Sequence, residues 1–199
     1  MSNNPARIAV AYHSGYGHTA QQAEAVAAGA SVVPGAVVEL VPLDELTDEV
    51  WQRLAAADAI VFGSPTYMGG PSAVFKAFAE ASAKVWADDL AWRDKIAAGF
   101  TNSKAMSGDK LNSLVYFSIL AAQHGMIWVG LDLYPGWSES TASSEDLNRL
   151  GSWLGAMAQS DADLSAEKAP PATDLRTAAA LGTRVATVTI RHLRGAPAA

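Results

Sequence analysis

Residues 7–19 read Arg7-Ile8-Ala9-Val10-Ala11-Tyr12-His13-Ser14-Gly15-Tyr16-Gly17-His18-Thr19. Arg7–Tyr12 reads as a strand, and the unbroken apolar run Ile8-Ala9-Val10-Ala11 in its middle suits one covered on both faces. The second half is a glycine-rich turn. Ala20–Ala30, rich in Ala, Gln and Glu, then continues as a helix. Strand, tight turn and helix make the opening unit of a parallel α/β sheet. In such a turn the glycines let successive N–H groups converge. Ser14 and Thr19 add hydroxyls, and the helix N-terminus favours an anion. The turn holds no Lys or Arg, so a phosphate here would be gripped by neutral donors. The same residues also read as a plain strand-to-helix turn capped by Thr19, and on their own they leave both readings open. There is no Gly-Lys-Ser/Thr ending of a Walker loop and no Gly-x-Gly-x-x-Gly spacing.

Outward from this stretch the alternation repeats. Strands are expected at Val37–Val41, closed by Pro42, and at Ala59–Gly63, Ile96–Thr101 and Met126–Leu131. Helices are expected at Thr47–Ala56, Ser72–Ala83, Leu111–Gln123 and Asp174–Leu193. Thr47 suits an N-cap, with Val50, Trp51 and Leu54 on the buried face. Ser64–Pro71 reads as a loop. Asp132–Pro171 reads as a long irregular stretch with a short helix around Leu147–Ala158. Five strands between helices predict a doubly wound parallel sheet of order 2-1-3-4-5, helices on both faces, in one domain over 1–199. The 132–172 segment is then an insertion before the last helix, a candidate for function and for an interface. Residues 195–199 read as a flexible tail.

Half the residues are hydrophobic and 17% are charged, enough for a real core, and the net charge is -6. That balance argues against nucleic acid as the partner. With no cysteine, disulfides and Cys-held metals are excluded. His13 and His18 have no acidic residue beside them at metal spacing, so no metal site is read. No apolar run approaches a membrane span and no signal-peptide pattern opens the chain, which leaves the cytoplasm as the expected location.

Ligands of an open parallel sheet bind at the C-terminal ends of the strands. Besides the first turn, two such ends are unusual: Gly63-Ser64-Pro65-Thr66-Tyr67-Met68-Gly69-Gly70-Pro71, and Thr101-Asn102-Ser103-Lys104-Ala105-Met106-Ser107-Gly108-Asp109. The first can face a planar ring with backbone groups and cover it with Tyr67 or Met68. The second can wrap the ring's other side. Alone, each also reads as a solvated loop; three at adjacent strand ends point to one ligand site. A phosphorylated receiver domain shares the topology but needs acidic residues where His13-Ser14 and Ser64-Pro65 stand. Gly-x-Ser-x-Gly is absent, so Ser14 makes no nucleophile elbow.

These loops resemble those of the flavodoxin-like superfamily, most closely WrbA-type NAD(P)H:quinone oxidoreductases and their FMN-reductase relatives. The likeness rests on Ser14-Gly15-Tyr16-Gly17-His18, Phe62–Gly69, Trp86-Ala87 and His124-Gly125-Met126, over roughly Arg7–Leu131. It implies a flavodoxin-like fold and FMN, with Ser14, Gly15, Tyr16, Gly17, His18 and Thr19 on the phosphate. Pro65, Thr66, Tyr67, Met68 and Gly69 would meet ribityl and ring, and Thr101, Asn102, Ser103, Gln123 and His124 would complete the lining. Tyr16 and Trp86 would border the substrate. His18 and His124 are the candidates for proton transfer, and no other catalytic side chain is assigned. The resemblance implies electron transfer from NADH or NADPH to a quinone-like acceptor, in a homodimer or homotetramer, with apolar interface surface from Trp137, Trp153 and Met157. The alternatives are a flavodoxin-type electron carrier that does not itself oxidise NAD(P)H, and an interaction protein that merely binds FMN. Two departures bear on the ring and the pocket: Lys104-Ala105-Met106 replaces a glycine-rich stretch, and Gln123 stands for the first His of a His-His-Gly.

Overall fold

The computed structural model describes residues 4–195. In chain order the elements are β1 (Ala6–Tyr12), α1 (His18–Ser31), β2 (Ala36–Pro42), α2 (Asp48–Ala56), β3 (Ala59–Tyr67), β4 (Gly70–Pro71), α3 (Ala73–Ala81) and α4 (Ala83–Ala87). They continue with β5 (Ile96–Ser103), α5 (Lys110–Gln123), β6 (Ile127–Trp128), β7 (Ala156–Gln159) and α6 (Ala172–Gly195). The main path of the sheet is β2-β1-β3-β5-β6, all parallel, which is the expected order 2-1-3-4-5.

Two cores follow from the period-two alternation of strand side chains. Ile8 and Val10, Ala59 and Val61, Ile96 and Ala98 point to one face, where Ala23, Val26 and Ala30 of α1 meet Ala178, Leu181 and Val185 of α6. Ala9 and Ala11, Ile60 and Phe62, and Ala97 point to the other, against Val50 and Leu54, Phe75 and Phe78, and Leu114 and Phe117. Helices α1 and α6 approach so closely that a Cβ on Gly29 or Gly182 would run into the facing backbone. Thr183 seals the contact by donating to the Gly29 carbonyl at 2.7 Å. Thr47 caps α2 by accepting from the Val50 amide, as expected.

Four expectations are corrected. Ser64–Pro71 is no loop: β3 runs on to Tyr67 and turns back as β4. Its polar residues stay buried because their hydroxyls bond one another, as described below. Met68 and Gly69, at φ 48 and 82, form the two-residue turn, both left-handed as a type I′ hairpin requires. Helix Ser72–Ala83 is really α3, capped by Ser72 accepting from the Phe75 amide, followed after Ser82 by the short α4. No helix forms around Leu147–Ala158. There Asn148 is left-handed, its side chain donates to the carbonyls of Leu133 and Ser152, and it accepts from the Ser152 amide, which ties the chain into a loop.

The fourth correction concerns Met126–Leu131. β6 covers only the start of β5, pairing Ile96 with Ile127 and Ala97 with Trp128. The chain then leaves the sheet and returns as β7, parallel to the far half of β5, pairing Phe100 with Ala156 through Ser103 with Gln159. The insertion therefore supplies part of the sheet. Gly195, expected in the tail, ends α6; the rest of that tail, 196–199, lies outside the described residues.

Candidate functional site

The C-terminal ends of β1, β3, β5 and β7 surround a cavity of about 670 Å³, within the range of small-ligand pockets. Gly15, Tyr16, His18 and Thr19 border it from the first turn, Pro65, Thr66 and Tyr67 from β3, and Asn102 and Ser103 from β5. Nine sequence-predicted residues thus come together. Lys104, Ser160, Ala162 and Leu164 complete the lining, and no carboxylate borders it. In a chain of net charge -6, a pocket with one lysine and no acid suits an anion.

The first turn is held open by its own geometry. Ser14 accepts from the Ala20 amide at 3.0 Å, and the Gln21 amide bonds the Gly17 carbonyl. Among the described residues, the amides of Gly15, Tyr16, Gly17, His18 and Thr19 find no protein acceptor. Five successive free donors at a helix N-terminus form an anion cradle. Gly17 sits at φ 87, and a Cβ there would press on Ala166; a Cβ on Gly15 would strike the Tyr67 hydroxyl. Tyr16 is 81% exposed at the mouth, its ring edge-on to Tyr67 at 6.4 Å. Burial and the neighbouring Tyr16 raise the Tyr67 pKa, so its phenol stays neutral.

The walls are bonded from behind. Thr101 donates to the Ser64 carbonyl at 2.7 Å, so its oxygen accepts from Thr66, which in turn accepts from Ser113. This one-way chain joins β3, β5 and α5. It also places the Thr101 hydroxyl in the wall, outside the cavity lining. His13 bonds Ser72 at 2.8 Å and Ser72 bonds Ser64, which ties the first turn to the hairpin. Asn102 is 3% exposed. Its amide donates to Ser160 at 2.8 Å, while Oδ1 is buried without a protein partner. Turning the amide over would only exchange which atom is orphaned.

The insertion roofs the turn. His18 Nε2 lies 2.9 Å from the Leu164 carbonyl, to which only an N–H can donate. The insertion is fastened in turn by Arg149, paired with Asp174 of α6 at 2.7 and 2.8 Å, the two nearly buried. Asp174 also accepts from the Gln159 amide, next to Ser160. The pair raises the Arg149 pKa further. Sequence reading missed this roof because its residues are small, polar and dispersed. Its one signal was the length of the segment.

Five other expected residues lie elsewhere. Met68 and Gly69 form the hairpin turn beyond the cavity, with Asn112 donating to the Gly69 carbonyl. Gln123 and His124 precede β6, whose first residue lies level with the first residue of β5. They therefore sit at the opposite end of the sheet. His124 is buried against Trp92 and bonds Ser82 at 2.9 Å. Because the Ser82 proton goes to the Ala79 carbonyl, His124 must donate from Nε2 and is neutral; burial lowers its pKa. Trp86, 54% exposed on α4, is four residues beyond Ser82 at that same end. No His, Asp or Glu group that could hold a metal occurs among the described residues.

These residues fit FMN. The free amides suit a phosphate, the unpartnered end of the Asn102 amide suits the polar edge of the ring, and two tyrosines bound the mouth. Comparison with known proteins agrees. The profile of a family described as NADPH-dependent FMN reductase matches residues 17–134. Flavodoxin FldP of Pseudomonas aeruginosa is 42% identical over 92% of this chain and 96% of its own. An NAD(P)H dehydrogenase (quinone) of Geotalea uraniireducens is 31% identical over 94% of this chain and all of its own length. Among solved structures, a flavodoxin, WrbA-like protein from Agrobacterium tumefaciens superposes with a TM-score of 0.71 at 42% identity, covering 94% of this chain and 99% of that one.

Proposed function

The chain belongs to the NADPH-dependent FMN reductase family, a flavodoxin-like family of FMN-binding oxidoreductases, and from that premise we propose that it transfers electrons from NADH or NADPH to a quinone-like acceptor. The observation that carries this reading is the run of five free amides, Gly15 to Thr19, bordering a pocket with no carboxylate. They would hold the FMN phosphate, joined by the hydroxyl protons of Ser14 and Thr19. FMN bound there supplies a reversible two-electron carrier.

The protein's own part is placement. The free end of the Asn102 amide would bond the ring edge, and the bonded wall of Thr66, Thr101 and Ser113 keeps the pocket from collapsing. Tyr16 and Tyr67 offer an apolar mouth in which nicotinamide and quinone stack by turns. His18, donating to the Leu164 carbonyl from Nε2, holds the roof over the phosphate. Neutral, committed His124 has no part in the chemistry. Trp86 stays in the reading only as a residue presented to a neighbouring copy's pocket in a homodimer or homotetramer. Exposed Trp137 and Trp153 support such assembly, whereas Met157 is half-buried. No helix among the described residues is long and apolar enough to cross a membrane, and a cytoplasmic setting is part of the same proposal.

The test is anaerobic mixing of FMN-loaded protein with NADH or NADPH, then with benzoquinone. The yellow colour is expected to bleach and then return. A second reading, an electron carrier, is favoured by 42% identity to a protein named flavodoxin. Bleaching that appears only when a separate flavodoxin reductase is added would establish the carrier and overturn direct oxidation of NAD(P)H.

A further inference from the structure

Lys110 opens α5 and is fully buried, outside the lining of the cavity. Its ammonium spends all three protons on one segment: Ser103 Oγ at 2.8 Å, the Ala105 carbonyl at 2.8 Å and the Met106 carbonyl at 2.9 Å. Ser103 borders the cavity, so the charge stands one hydroxyl behind the pocket wall. That hydroxyl is locked as well. It donates to the Ala105 carbonyl, and it rests on Gly108, where any Cβ would collide with it.

A buried ammonium ordinarily has a carboxylate partner. Among the described residues Lys110 has none at ion-pair distance. The charged neighbours that act on it are Asp174 of α6 and Arg149 of the insertion. Those two are paired with each other, so their fields at Lys110 oppose. Asp109 precedes it at the start of α5, and Lys104 lies on the cavity side of the same segment. The hydrogen bonds explain the donor; they leave the charge without a counter-ion.

We infer that Lys110 is a positioning residue that answers to the bound cofactor: its ammonium shapes the 103–106 wall, and its unpaired charge favours an anionic ligand across the cavity. This rests on the FMN reading. Burial lowers its pKa to about 8. An anion brought into the pocket raises it again, so FMN binding takes up a proton above that pH. A neutral Lys110 also has only two protons for three acceptors, and the wall slackens. FMN affinity should therefore fall as the pH climbs past 8.

The experiment titrates FMN-free protein with FMN, following the flavin's fluorescence, from pH 7 to pH 9.5. Wild type is expected to lose affinity ~5-fold or more across this range, by proton linkage. Lys110→Met should bind more weakly at pH 7 and show little further change. Lys110→Arg keeps the charge throughout and should give a flat profile even if Lys110→Met does not fold. Lys84→Met, on exposed α4 and outside the cavity, should keep the wild-type slope. A flat wild-type profile, a slope that survives in Lys110→Arg, or a slope lost in Lys84→Met would overturn the inference. Wild type that takes up no FMN at any pH would sink the FMN reading along with it, an outcome distinct from pH-independent binding.

Discussion

At the scale of single residues, the pocket depends on atoms that are missing as much as on those present. Gly17 combines a left-handed backbone with a neighbour, Ala166, 2.7 Å from where a Cβ would lie. Gly17→Ala should cost about 1–2 kcal/mol of stability and weaken FMN binding at least ~10-fold as the amide cradle shifts. Urea unfolding and FMN titration would check both, and unchanged affinity would remove the cradle from the argument for FMN. Lys110 gives a second, opposite signature. Its folded pKa, about 8, lies below the ordinary 10.5, so between those values the unfolded chain binds the extra proton. Its contribution to stability is therefore present above 10.5 and lost as the pH falls through 8. FMN-free wild type should gain urea resistance between pH 7 and pH 9.5 relative to Lys110→Met, while its affinity for FMN falls. A protein that is least stable where it binds best would reveal a charge kept for the ligand.

Among the elements, the buried Arg149–Asp174 pair fastens the roof to α6. Asp174→Ala leaves a guanidinium buried without its carboxylate and should cost about 3–5 kcal/mol. It should also release Gln159 and Ser160 from the pocket edge. Chemical unfolding reads the first effect and FMN affinity the second; a loss below ~1 kcal/mol would mean water reaches Arg149 freely. The strands and helices that carry apolar periodicity were legible in the sequence because burial on two faces demands it: β1, α1, α5 and α6 stand where their apolar residues place them. The glycine turn was legible for the same reason, since few other residues make that bend. What stayed hidden was buried polarity. Ser64 and Thr66 read as loop residues, yet the hydrogen bonds that join them to Thr101, Ser72 and Ser113 let them stay buried in a strand. β7 is only four residues long, Ala156–Gln159, with no β-branched or aromatic side chain, and only its partner β5 identifies it. His124 was misplaced because a motif tells what precedes a strand, while the sheet decides which end that is.

For the whole molecule, the exposed side of α5 stands apart. Its only charged residue, Lys110, is buried, while Leu111, Val115 and Ile119 form an exposed apolar row at helical spacing. Met106 and Trp137 extend it across a neighbouring cavity of about 770 Å³. Asp109 and Arg149 are the charged residues in that lining, and two copies of a chain carrying -6 repel each other least across a face so poor in charge. If the assembly proposed above uses this face, Val115→Glu should shift sedimentation towards monomer without changing the helical circular dichroism. An assembly that survives Val115→Glu unchanged would move the interface to Trp153 and the rest of the insertion.

The divided edge of the sheet invites an act of surgery. Trp128 is level with Ala97 and Ala156 with Phe100, so the register leaves room for two residues opposite Ala98 and Gly99. The chain puts the stretch 129–155 there instead. A two-residue splice would turn β6 and β7 into one continuous strand and leave the roof at Ser160–Leu164 attached. Asp174 would need to become neutral in the same step, having lost Arg149. Conversely, 129–155 marks a natural docking port in the chain: a foreign module spliced between those two half-strands would hang from the sheet edge, coupled to the pocket through Gln159 and Ser160, where its own folding could be read out in flavin fluorescence.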